Sequence, residues 1–167
     1  ITALVVSWIN CAGIPVKHAG LPVAAALVLA SSLILRRLRP IFPYRRLKPF
    51  LIVLLVAALF VGYPMFLFGF NWVAYCNDDM ANYALIANLY LNHGYLELPD
   101  SWTFLQNRDA SLAYWYLEPY GGIRSGADEL LAWAAAATGL NTQEAFMPTI
   151  LALHLALISA AGAMVLR

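Results

Sequence analysis

PFLIVLLVAALFVGYPMFLFGF, residues 49–70, carries no charged side chain over the length a helix needs to cross a bilayer. The chain as a whole is 62% hydrophobic and 11% charged. Soluble domains carry about a quarter charged residues, so this composition belongs to the membrane class. Pro49 suits a first helical turn, and Pro64 predicts a kink in the outer third. Trp72 and Tyr75 follow where aromatic rings favour the membrane–water interface.

The stretch before this span orients it. Residues 36–48, RRLRPIFPYRRLK, hold six positive charges and no acid. Such a loop stays on the cytoplasmic side during insertion, and anionic headgroups attract it. Pro40 and Pro43 keep it from continuing as a helix. Upstream, residues 20–35, GLPVAAALVLASSLIL, are uncharged and nearly span the hydrocarbon core. Lys17-His18-Ala19-Gly20 predicts a short turn. Residues 1–16 look like the outer part of another membrane helix. Downstream, residues 147–166, MPTILALHLALISAAGAMVL, form the last span, with Arg167 returning to the inside. The chain opens on Ile1 within one apolar run and closes on Arg167 after another, so a longer polypeptide is expected.

All nine acids lie between Asp78 and Glu144. Against Arg108 and Arg124 they give residues 70–146 a formal charge of −7. One such charge at mid-bilayer costs about 3 kcal/mol, so this region is outside the membrane. The expected fold is therefore all-α: a multi-pass transmembrane protein with membrane helices over 1–69 and 147–167. An extracytoplasmic loop domain with amphipathic surface helices fills 70–146. The bilayer is the first expected partner. No basic patch interleaved with aromatics occurs outside the short loop, which argues against a nucleic-acid partner. The spans hold no acid and one histidine, His154, so no ion path is evident. His154 is expected to pack inside a helix bundle. Cys11 and Cys76 have no metal-ligand spacing. Cys11 reads as a small buried hydrophobe, and a bridge to Cys76 requires both near the outer face.

Within the outer region, DMANYALIANLYLNH, residues 79–93, predicts a helix lying flat at the interface. Asn77 or Asp78 caps its start and Gly94 ends it. Tyr83, Ile86, Ala87 and Tyr90 share a face. Residues 95–124 read as loop. A second helix starts at Ser125-Gly126-Ala127-Asp128 and stops near Gly139. Asn141-Thr142-Gln143-Glu144 has the form of a capping box for the last helix.

The adjacent carboxylates of Asp78 and Asp79 stand at a helix start just past a span. They can cap the helix, where negative charge is favoured. They can hold a divalent cation, Mg or Mn, through oxygen. One can serve as a general base. Asp109 and Glu118 are further acids, among aromatic residues such as Tyr114, Trp115 and Tyr116 that suit either sugar stacking or interface anchoring. The remaining acids read as solvated charges or helix caps.

The stretch NDDMANYALIANLYLNHGYL, residues 77–96, resembles the first outer loop of the GT-C superfamily of membrane glycosyltransferases. In that family an acidic motif follows a membrane helix. A surface helix comes next, often with a pattern like Tyr83-x-x-x-Ala87. The resemblance covers about 70 residues. It implies transfer of a sugar from a polyprenyl-phosphate donor to an acceptor on the extracytoplasmic face, at a bacterial inner (plasma) membrane. It also implies that Asp78 or Asp79 is the catalytic base, or a metal ligand if the enzyme is metal-dependent. Arg124, Tyr83 and His93 become candidate substrate-binding residues, with Arg124 placed to meet a lipid phosphate or to pair with Asp128. His93 otherwise caps the surface helix. The family has more spans than this chain supplies, and its loop follows the first span. The alternative is a non-catalytic accessory subunit packed against other subunits of a larger membrane complex.

Overall fold

A computed structural model describes residues 2–38, 44–70, 79–97, 100–106, 109–115 and 126–165. The described residues form helices and no strand. In chain order they are α1 (Thr2–Cys11), α2 (Val16–Leu38), α3 (Tyr44–Phe68), α4 (Asp79–Asn92) and α5 (Ser101–Gln106). A 3-10 helix follows at Ala110–Trp115, then α6 (Gly126–Thr138) and α7 (Thr142–Val165). Among the described residues, three stretches are long and apolar enough to cross a membrane: Val16–Arg37, Leu47–Phe68 and Thr142–Val165.

The short Ala-rich α6 is the hub. It packs on α1, α2, α4 and α7. Its Leu131, Ala132 and Ala135 are buried against Val6 of α1, Val16, Ala19 and Val23 of α2, Ile86, Ala87 and Tyr90 of α4, and Ala145 of α7. Alanines on the facing surfaces let the axes approach closely. The closest crossing joins α2 to α6, where a Cβ on Gly20 would overlap the side chain and backbone of Ala136. Tyr90 is fully buried and stacks on Tyr95, ring centroids 5.7 Å apart. Burying one such side chain contributes about 1.5–3 kcal/mol.

The turn from α1 to α2 docks on the end of α4. Gly13 takes φ +85°, a conformation that favours glycine. Gly94 lies against it so closely that a Cβ there would come within 2.7 Å of Gly13 Cα. The Tyr95 amide donates to the Asn10 carbonyl at 3.0 Å. Gly94 is thus required by this close approach, and α4 already ends at Asn92.

A second, thinner association joins α3 and α7. They run antiparallel, since Gly162 faces the Phe50 ring at one end and Gly62 faces Leu151 nearer the other. The C-terminal half of α2 joins neither group closely, and Val28, Leu29, Leu33, Ile34 and Leu35 are exposed.

Several expectations change. Lys17–Gly20 is the first turn of α2 and not a separate turn. The helices α2 and α3 extend into the basic stretch, to Leu38 and from Tyr44. Residues 95–124 contain α5 and the 3-10 helix. The last helix begins at Thr142, directly after the expected cap at Asn141, and so extends ahead of the apolar run at 147–166. The helix α4 buries more than the one face expected of an amphipathic helix. Met80, Ala84, Ile86, Ala87, Leu89 and Tyr90 are all buried, because α6, α7 and the 3-10 helix cover it on several sides. His154 is exposed on α7 and not packed in a bundle, its Nδ1 2.8 Å from the Ile150 carbonyl of its own helix. Cys11 is an exposed free thiol.

Candidate functional site

The site begins at the first residue of α4. Asp79 stands there, exposed, in the turn where backbone N–H groups lack intrahelical acceptors and negative charge is favoured. Asp78, Arg124, Glu118, Trp72, Tyr75 and Cys76 lie outside the described residues, as does the capping residue expected at Asn77 or Asp78.

One turn on, Tyr83 is partly exposed and tilts against Phe146 of α7, ring centroids 6.4 Å apart. It lines an apolar groove of about 230 Å³ with Leu130 and Leu131 of α6 and Thr149, Ile150 and Leu153 of α7. Asp79 and Tyr83 therefore share one end of α4. His93 does not. It follows the far end of α4, about 20 Å of helix away. There its Nδ1 lies 3.7 Å from Glu97 Oε2. The same carboxylate accepts the Gly94 amide at 2.9 Å, and the His93 carbonyl accepts from Asn10 Nδ2 at 2.9 Å. His93 thus belongs to the junction of α1, α2 and α4.

The asparagines of α4, loosely spaced in sequence, turn out to hold the following segment. Asn88 Nδ2 reaches Asp109 Oδ1 at 3.4 Å and Ser111 Oγ at 3.3 Å. Asn92 Nδ2 donates to Asn88 Oδ1 at 3.2 Å, which fixes the Asn88 amide from below. Tyr114 donates to Asn82 Oδ1 at 2.5 Å. Asp109 also caps its own turn, accepting the Ser111 amide at 2.9 Å. Asp109 is therefore engaged in holding the 3-10 helix against α4.

Beside Asp79 a cleft of about 510 Å³ opens between α4 and the start of α7. Met80, Ala84 and Leu85 form its apolar side; Asn88, Asn141, Thr142 and Gln143 form its polar side. The capping box shapes that polar edge. The Glu144 amide donates to Asn141 Oδ1 at 2.8 Å, and the Asn141 amide to Glu144 Oε2 at 3.1 Å.

A second polar locus was not visible in the sequence. Asp128 and Glu129, expected to be solvated or helix caps, are each 1% exposed. Both sit in the first turn of α6, where the helix dipole favours a carboxylate. Glu129 accepts a short hydrogen bond from Ser7 Oγ of α1. The available signal was in α1: Ser7 and Asn10, three residues apart on an otherwise apolar helix, share a face that needs polar partners. Asn10 donates its Nδ2 to carbonyls at the end of α4, and Ser7 meets its need at Glu129.

Among the described residues no three of His, Cys, Asp and Glu gather as a metal site. The described donors around Asp79 therefore do not compose a cation site by themselves. Comparison with protein-family models, curated proteins and solved structures gave no match.

Proposed function

We propose that this chain is part of a multi-pass membrane glycosyltransferase of the GT-C type, carrying the outer acidic loop of its catalytic site. In this reading α2, α3 and α7 cross the bilayer. The basic junction of α2 and α3 lies in the cytoplasm, and the α6-centred cluster lies on the extracytoplasmic side. A sugar is transferred from a polyprenyl-phosphate donor to an acceptor hydroxyl.

The observation that carries the proposal is the placement of Asp79. It is exposed at the start of α4, and the two residues that follow it, Met80 and Ala81, line a cleft with polar and apolar sides. The chemistry needs a carboxylate there. As the acceptor oxygen forms its bond to the anomeric carbon, its proton passes to Asp79 or Asp78. The bond from the anomeric carbon to the phosphate oxygen breaks, and its electron pair leaves with the lipid phosphate. In the proposal Arg124 offsets the charge of that leaving group. The apolar groove at Tyr83 offers the neighbouring surface on which an isoprenoid chain can lie.

The test is made in the full-length protein with Asp78→Asn, Asp79→Asn and the double variant, following glycolipid product and protein level together. General-base catalysis contributes about 10²–10⁴-fold, so product is expected to fall by that order at unchanged protein level. Normal product from the double variant rejects the proposal. Orientation is tested with a membrane-impermeant thiol reagent: Cys11, an exposed free thiol, is labelled from the extracytoplasmic side, and labelling only from the cytoplasmic side reverses the topology.

One observation favours a second reading. The exposed apolar faces of α2 and of the α3–α7 pair suit helix–helix association, as in an accessory subunit. That reading predicts full glycolipid product from the Asp78 and Asp79 variants and loss of assembly from variants of these faces.

A further inference from the structure

We propose that the cleft between α4 and the start of α7 is a docking site for a neutral polyhydroxylated ligand, a sugar unit of the acceptor. This rests on the glycosyltransferase reading and extends it to the substrate.

The cleft has the size of a small-molecule site, about 510 Å³ within a usual range of roughly 300–1,000 Å³. Its polar groups are held in place and still have bonding capacity. Thr142 is 6% exposed, lines the cleft, and its hydroxyl makes no hydrogen bond to another described residue. Asn141 uses its Oδ1 and backbone amide in the capping box, which leaves its Nδ2 to donate. The amides of Thr142 and Gln143 are in the first turn of α7, where intrahelical acceptors are lacking. Gln143 is exposed and adds a donor and an acceptor on one side chain. Asn88 is fixed by Asn92, Asp109 and Ser111.

The balance of charge selects the ligand. No lysine or arginine is among the described residues lining the cleft. The Glu144 carboxylate accepts the Asn141 amide and the Asp109 carboxylate accepts from Asn88 Nδ2, both on lining residues. An anion would meet negative charge, whereas a hydroxyl can both donate to oxygen and accept from amide. Sugars also present C–H faces, and Met80, Ala84 and Leu85 provide the matching apolar side. Met80 and Ala81 directly follow Asp79, so a sugar seated here has its edge next to the proposed base.

The experiment uses the full-length protein in nanodiscs free of sugar-based detergent. Methyl glycosides of glucose, galactose, mannose and arabinose are the probes, and saturation-transfer NMR reads their binding. Ala81→Trp fills the cleft from an exposed position on α4, and Ala110→Trp, also exposed, is the control. At least one glycoside is expected to bind. Ala81→Trp is expected to weaken it at least tenfold, with Ala110→Trp unchanged. Thr142→Val, which removes one hydrogen-bonding hydroxyl at constant shape, is expected to weaken it about 3- to 10-fold. No glycoside binding to the unaltered protein overturns the proposal. So does equal binding to the Ala81→Trp protein, or displacement of the glycoside by inorganic phosphate. Asp79→Asn separates the two levels. If it leaves transfer intact in combination with Asp78→Asn while Ala81→Trp still abolishes glycoside binding, the catalytic reading fails and the sugar site stands.

Discussion

Around α6, apolar residues are packed to exclusion of solvent; along α3, α7 and the second half of α2, apolar residues of equal or greater hydropathy face outward. Ala87 and Ala132 have no exposed surface, whereas Phe60 is 80% exposed and Val28 68%. The difference lies in how the helices fit together and not in hydropathy. The cluster is built on Ala19, Ala87, Ala132, Ala135 and Ala145, with glycines at Gly20, Gly13 and Gly94. Small side chains let four helices converge on one short one. The long helices carry leucine, isoleucine and phenylalanine, which hold neighbours apart but suit a lipid solvent.

Four substitutions can break or sharpen this contrast, each read by thermal unfolding of the protein in nanodiscs followed by circular dichroism. Tyr90→Ala should have the largest effect. It empties a fully buried aromatic site, and such truncations cost about 3–5 kcal/mol. Gly20→Leu should come next, about 1–3 kcal/mol from forced separation of α2 and α6; an unchanged melting temperature would mean that this crossing is loose. Ser7→Ala should cost about 1–3 kcal/mol, because it removes a donor from the buried Glu129 carboxylate. Phe60→Ala should be smallest, within about 0.5 kcal/mol. A Phe60→Ala loss approaching that of Tyr90→Ala would show α3's outward face to be packed and would end the contrast.

Much of the local structure was legible because it depends on near neighbours. The capping box at Asn141 and Glu144 is present in both of its hydrogen bonds. The helix predicted to stop near Gly139 does so, with Gly139 at φ +75°. The site was legible in part. Asp79 opens α4 as its sequence position required, and Tyr83 is one turn away. His93 was grouped with them because it lies on the same short segment, but a helix carries residues at its two ends apart. The paired roles of Asn88 and Asn92 depend on the 3-10 helix at Ala110–Trp115, whose docking no local pattern announces. Asp128 and Glu129 look like an ordinary acidic first turn; only the return of α1 across α6 makes Glu129 a buried partner of Ser7.

The sequence by itself determined the helical class, the three helices of membrane-crossing length, the helix ends at Asn141 and Gly139, and the separation of acidic from basic segments. Each follows from composition or from contacts within a few residues. Only the tertiary structure decided that the brief Ala-rich α6, and not a long apolar helix, is the centre of the core. It also decided that α4 is covered on several sides, and that a cleft opens between α4 and the start of α7. These depend on which helices meet, and that is set by the fit of small residues such as Gly20 against Ala136, far apart in the chain. Hydropathy records only that a side chain leaves water. It does not record whether lipid or another helix receives it.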